Sequence, residues 1–189
     1  MACYHPITGY RSKRDGKTIV FDTKAGHIHS AFPVACGQCV GCRLERSRIW
    51  AIRCMHEAKM HDTNQYLTLT SNDENLPINN SLNKLDLRKF WKRLRKKFKL
   101  RYFACGEYGD TTQRPHYHAI CFGLHIPDKS YHKQSNGHKL YTSKTLEKIW
   151  GKGHIYIGNV TFESCAYVAR YIIKKRTGKD SHLHYEKEI

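Results

Sequence analysis

Acidic side chains are scarce in this chain. Its 16 Asp and Glu stand against 33 Lys and Arg, for a formal net charge of +17. An excess of that size argues against an acid-binding role and for a polyanionic partner, DNA or RNA, because neutralised phosphates release counterions. A merely soluble basic protein would carry the same excess. Long apolar runs are also missing: nothing approaches the ~20 residues that a membrane helix needs. The start lacks the apolar core of a secretory signal, so a cytoplasmic protein is expected. In that setting the eight cysteines read as thiols or metal ligands rather than as a disulfide framework. Internal repeats and a clear domain linker are absent too. At 189 residues and 40% hydrophobic content, the chain reads as one folded domain with its own core.

Periodicity then sets the elements. Residues 17–22 and 27–32 read as two short strands with Gly26 in the turn. A Cys- and Gly-rich connector, 33–42, leads into a helix over about 40–61, with Leu44, Ser47, Trp50 or Ala51, Cys54 and Ala58 on one side. Strand alternation recurs over 66–70, 100–108, 116–123 and 154–160. Helical spacing recurs over 85–99, where Leu87, Phe90, Trp91, Leu94 and Phe98 should face the core, then over 143–150 and 162–175. Residues 72–83 and 129–141 read as polar loops, and 176–189 as a polar tail. This order predicts an α+β fold, a mostly antiparallel central sheet flanked by helices.

Two patterns carry chemistry. In Pro115-His116-Tyr117-His118 the histidines share one face of a strand and Tyr117 points to the other. The preceding strand ends at Glu107, and a hairpin would lay that carboxylate beside them. Two imidazoles and a carboxylate suit Mg²⁺, Mn²⁺ or Zn²⁺ with positions left for a phosphate oxygen. In a chain with 13 histidines, an isolated H-x-H is also a common polar strand face. Farther on, Tyr167 and Tyr171 stand one helical turn apart, with Lys174 or Lys175 continuing the edge. A phenol titrates near ~10 and is a poor nucleophile at neutral pH. A metal on the phosphate and a lysine beside it would lower that barrier. Together these residues suggest cutting and rejoining of nucleic acid through a 5′-phosphotyrosine ester, which stores the energy of the broken linkage. Without the histidines, a tyrosine pair is ordinarily two helix aromatics packed on a core.

Two further features stand apart from that chemistry. Cys36, Cys39 and Cys42 form overlapping C-x-x-C steps that could hold structural Zn²⁺, with Cys3 or His5 as fourth ligand. The zinc would staple the start of the chain to the first helix; reduced cysteines packing as small hydrophobes are the alternative. Residues 84–101 carry a dense basic run. Arg88, Lys92, Arg95 and Lys96 there, with Arg43 and Arg46 earlier, are the candidate DNA contacts, giving affinity without sequence information. A solvated helix face with no partner is the bland alternative.

With these residues together, the chain resembles the HUH endonuclease superfamily, in particular the replication initiators of the Microviridae, the gokushovirus-like group among them. His116-Tyr117-His118 matches the family's His-hydrophobe-His metal motif. Tyr167, Tyr171 and Lys174 match Y-x-x-x-Y-x-x-K, and Tyr66-Leu67-Thr68-Leu69-Thr70 matches its first, Thr-rich strand motif. Glu107 sits where a third metal ligand is expected, and Cys42-Arg43-Leu44-Glu45-Arg46 also resembles the phage group. The resemblance implies a single HUH endonuclease domain over 1–175. It further implies a Mg²⁺- or Mn²⁺-dependent nickase and ligase acting on single-stranded DNA at a phage origin. Rolling-circle replication in the host bacterial cytoplasm, with host replication proteins and no membrane, is the expected setting. Such initiators commonly continue beyond this length. A two-tyrosine HUH transposase shares the chemistry, and a non-catalytic zinc-containing DNA-binding protein would explain the charge and cysteines alone.

Overall fold

The computed structural model describes residues 3–77, 80–109, 112–135 and 137–173, the side chains of the last two excepted. The tail expected over 176–189 lies outside them. The chain divides into two compact units, Met1–Arg48 and Ile49–Ile189.

The first unit holds a small antiparallel sheet in the order β2-β1-β3, built from β1 (Ile7–Arg11), β2 (Ile19–Val20) and β3 (Phe32–Val34). This replaces the hairpin expected from 17–22 and 27–32. Tyr10 and Arg11 pair with Val20 and Ile19, and Ile7 to Gly9 pair with Val34 to Phe32. Ile28–Ser30 is a 3-10 turn, and its Ser30 Oγ accepts from the Arg11 amide at 2.9 Å. Gly9 is required where the strands meet: a Cβ there would lie 2.7 Å from Val34 Cγ2. That glycine also hides β1 from a sequence reading, because it interrupts the alternation. A long helix, α1 (Val40–Lys59), begins in this unit.

The second unit is organised around a six-stranded antiparallel sheet in the order β5-β6-β4-β9-β8-β7. Its strands are β4 (Asn64–Thr70), β5 (Arg101–Tyr108), β6 (Pro115–Phe122), β7 (Ser130–Ser135), β8 (His138–Thr142) and β9 (Ile155–Gly158). Three helices accompany the strands: α2 (Lys84–Arg95), α3 (Lys144–Trp150) and α4 (Phe162–Ile173). The chain is thus α+β, as its periodicities imply.

Strand alternation sends two sets of side chains to two cores. Leu67, Leu69, Tyr117, Ala119, Ile155 and Ile157 pack with Phe90, Trp91 and Leu94 of α2 and with Leu146, Ile149 and Trp150 of α3. On the opposite face, Cys105, Ile120 and Phe122 pack with Ala51, Cys54 and Ala58 of α1 and with Cys165 and Val168 of α4. On α1 the buried stripe uses Ala51 rather than Trp50, and Leu44 is exposed.

Caps fix the helix starts. The Asn83 side chain accepts from the amides of Leu85 (2.9 Å) and Asp86 (3.3 Å), and Ser143 Oγ accepts from Leu146 (3.2 Å). Thr161 and Ser164 cap α4 reciprocally, each hydroxyl accepting the other's amide. Gly151 ends α3 in the left-handed region at φ +66.

Candidate functional site

β6 presents His116 and His118 on the α4 side of the sheet and turns Tyr117 into the other core. There the Tyr117 hydroxyl donates to Asn83 O (2.9 Å) and accepts from Asn83 N (2.7 Å). Strand register sets the neighbours: His116 lies opposite Glu107 on β5 and Thr70 on β4, and His118 opposite Cys105 and Thr68. Glu107 and His118 are buried and His116 is half-buried.

Glu107 is the hub. Its Oε2 lies 3.0 Å from His118 Nε2 and accepts the Tyr167 hydroxyl at 2.8 Å. On the far side of the His118 ring, Nδ1 meets the Tyr66 hydroxyl at 2.8 Å and Thr68 Oγ1 at 3.1 Å. The Tyr66 ring lies parallel to that of His118, and Tyr167 meets it edge-on with centroids 5.2 Å apart. Tyr171 follows one turn along α4, its ring centroid 4.9 Å from that of Tyr167.

The electrostatics follow from burial and these bonds. Burial works to raise the Glu107 carboxyl, but hydrogen bonds from His118, Tyr171 and Tyr167 outweigh it and hold the group below the usual carboxylate value. Burial, then the neighbouring His118, lowers His116, so its imidazole is neutral at pH 7. Burial, with hydrogen bonding to Tyr171 and Glu107, pushes the Tyr167 phenol well above its ordinary range. In this arrangement Tyr167 is a protonated donor, not a phenolate.

The donor set fits a divalent cation in chemistry. His116 Nδ1 is buried without a hydrogen-bond partner, an unmet demand that a ligand bond would satisfy. A neutral imidazole and an ionised carboxylate are the forms that coordinate. Among the described residues, Cys3, Cys36, Cys39 and Cys42 are the group of potential ligands whose donor atoms all lie within 4.8 Å of one another; the donors of Glu107, His116 and His118 do not close to that distance. The four-cysteine cluster belongs to the first unit and can hold a metal ion. The backbone amides of Cys42 and Tyr4 lower the Cys39 thiol to about 6.

The remaining predicted residues fall as follows. Lys174 and Lys175 lie outside the described residues. Arg88, Lys92, Arg95 and Lys96 are carried by α2 and its C-terminal cap, and α2 packs on the sheet face opposite the Glu107–Tyr167 cluster. Arg95 lies over the ring of Tyr102 (5.0 Å). In the first unit Arg46 is exposed and donates to Gly37 O at 3.3 Å, and Arg43 is half-buried. Sequence reasoning missed the part of Tyr66 and Thr68. They lie on the alternate positions of 66–70, but only the register of β4 against β6 shows which imidazole they serve. No helix among the described residues is long and apolar enough to cross a membrane.

Comparison with known proteins adds an independent line. Residues 64–176 match the model of the replication-associated protein ORF2 family. Replication-associated protein VP4 of Bdellovibrio phage phiMH2K is 38% identical over 188 residues, covering 93% of this chain and 58% of that protein. Replication-associated protein ORF2 of Spiroplasma virus 4 is 35% identical over 204 residues, 95% of this chain and 63% of that one. Replication-associated protein ORF4 of Chlamydia phage 1 is 33% identical over 156 residues, 77% and 39% respectively. The chain therefore spans less than two thirds of the length of these relatives. No solved structure gives a significant match.

Proposed function

The chain belongs to the ORF2 family of replication-associated proteins, and from that premise we propose that it nicks and rejoins single-stranded DNA at a phage replication origin. The observation that carries this reading is the Glu107 carboxylate, bonded at once by His118 Nε2 and by the Tyr167 hydroxyl. It puts a candidate nucleophile against a candidate metal ligand, on a buried sheet face, in a strongly basic chain.

Glu107, His116 and His118 would hold Mg²⁺ or Mn²⁺, which would polarise the scissile phosphate and neutralise its developing charge. The chain's own residues do the rest. α4 holds the Tyr167 oxygen at the cluster, and Glu107 Oε2 stands ready to accept its proton. The phenol oxygen bonds to phosphorus, the P–O3′ bond breaks, and the departing 3′ oxygen takes up a proton to become the free hydroxyl that primes synthesis. The product is a 5′-phosphotyrosine ester, so the reverse attack by a 3′-hydroxyl rejoins DNA with no nucleotide cofactor. Tyr171, one turn along the same helix, serves the second transfer that closes the displaced strand into a circle. Lys174 and Lys175 neutralise the phosphate. The role is rolling-circle initiation in the host bacterial cytoplasm, with host replication proteins extending the primer. The cysteine cluster takes no part in this chemistry; its metal would be structural.

The test uses circular single-stranded phage DNA, Mn²⁺ and the purified chain. A protein–DNA adduct at a 5′ end is expected, and mass spectrometry should map it to Tyr167 or Tyr171. The Tyr167→Phe/Tyr171→Phe double variant should form none. His116→Ala should abolish nicking yet keep most DNA affinity. An adduct on Tyr66, Tyr108 or Tyr117, or nicking by the double variant, would refute the assignment.

A further inference from the structure

We infer that Cys3, Cys36, Cys39 and Cys42 form a tetrathiolate zinc site, and that this site, not an apolar core, folds the first unit. The sulfur geometry is the first argument. Cys3 Sγ lies 3.7 Å from Cys36 Sγ and 4.0 Å from Cys39 Sγ, and all four sulfurs lie within 4.8 Å of one another. A tetrahedral ion with Zn–S near ~2.3 Å requires sulfurs about 3.8 Å apart. A disulfide would require ~2.05 Å, and all four cysteines are free.

The backbone is the second argument. The amide of Cys36 donates to Cys3 Sγ (3.4 Å), those of Gln38 and Cys39 to Cys36 Sγ (3.4 and 3.3 Å), and those of Tyr4 and Cys42 to Cys39 Sγ (3.4 and 3.5 Å). Amide donors converging on sulfur favour the thiolate, the form that binds metal. Gly37, at φ +74, makes the turn that lets the amides at 38 and 39 point at the sulfur before them.

The third argument is what the unit lacks. Among its described residues, the buried hydrophobic side chain is that of Cys42 alone, while Ile7, Ile19, Phe21 and Ile28 are exposed. Its strands are five, two and three residues long. A unit this small cannot hold such strands by apolar burial and needs a covalent or metal staple. The cysteine site supplies one, tying the chain start to the residues that open α1 across a separation of 33 positions.

The ligand chemistry selects the ion. Four soft sulfurs with no oxygen or nitrogen donor suit zinc and do not suit Mg²⁺ or Mn²⁺. Each thiol gives its proton to solvent as the ion binds, which leaves the site doubly negative. Arg46, bonded to Gly37 O beside the cluster, offsets part of that charge. Cys3 completes the set, and His5, the alternative open from sequence, is not in it.

The test runs on the whole reduced chain in a His116→Ala/His118→Ala background, so that zinc at the proposed nicking site cannot contribute. One zinc per chain is expected. Cobalt in its place should give thiolate-to-cobalt charge-transfer absorption, and titration of zinc into stripped protein should release protons. Chelation should make four thiols reactive and open residues 3–39 to protease while 64–173 stay protected. His5→Ala should keep full zinc, and Cys39→Ser should weaken it at least tenfold. Absence of zinc, cobalt binding without thiolate absorption, or unchanged protease resistance after stripping would overturn the inference. Iron in place of zinc would overturn the choice of ion. All these readings are independent of whether the chain nicks DNA.

Discussion

At His118 the two ring nitrogens meet different partners, and that asymmetry sets the proton. Nε2 faces the Glu107 carboxylate and so carries the hydrogen, leaving Nδ1 to accept from the Tyr66 hydroxyl. When Nε2 serves as a ligand, the hydrogen must move to Nδ1. The oxygens of Tyr66 and Thr68 then accept it, because a hydroxyl can play either part. Tyr66 and Thr68 thereby hold the ring in place in both states. Removing both partners, in Tyr66→Phe/Thr68→Val, should weaken Mn²⁺ binding roughly 10- to 100-fold, with nicking falling in step and the fold kept. Calorimetric Mn²⁺ titration and far-UV circular dichroism check this; unchanged Mn²⁺ affinity would show that the ring is held by packing alone. The motif Tyr66-Leu67-Thr68-Leu69-Thr70 is legible in the sequence, but its side chains' partner is not. A strand's own pattern states which residues share a face and says nothing of the strand opposite.

Among the elements, those with an apolar rhythm could be read and those without could not. β4, β5, β6 and β9, with the four helices, carry alternation or helical spacing because each covers a core. β7 and β8 do not. Ser130–Ser135 is exposed throughout, so its sequence shows no alternation and reads as a loop. Asn136-Gly137 between the two strands is the signal that finds a tight hairpin, on turn chemistry rather than on burial. Likewise α2 ends at Arg95, short of the expected 99, because the basic run beyond it keeps helical composition without a buried face. α3 shows what a cap contributes to a helix of seven residues. Ser143, almost wholly buried, accepts from the Leu146 amide and donates to Asp128 Oδ1 at 2.6 Å. Ser143→Ala should cost about 1–2 kcal/mol, read as a lower midpoint in urea unfolding with the slope unchanged. Thr145→Ala should cost far less, since Asp128 meets that residue through its amide.

On the scale of the whole second unit, the basic helix α2 and the candidate chemistry lie on opposite faces of one sheet. Replacing Arg88, Lys92, Arg95 and Lys96 together with Gln should weaken single-stranded DNA binding. It should also flatten the dependence of log K on log salt by up to about 3, at ~0.7 for each phosphate no longer neutralised. Cleavage of saturating short DNA should change little, because none of the four belongs to the Glu107 cluster. β5, the edge strand, joins the two sides: Glu107 projects to one face, and Tyr102, stacked on Trp91 under Arg95, projects to the other. A DNA strand gripped by both must round that edge. The straight path through sheet and helix is already roughly 15 Å, from a ~10 Å layer spacing and a helix radius near ~5 Å. At ~3.4 Å per nucleotide the detour takes up about five nucleotides or more. The footprint needed for firm holding is thus longer than the one needed for cutting, and an oligonucleotide trimmed to the nick site would turn over while barely being retained.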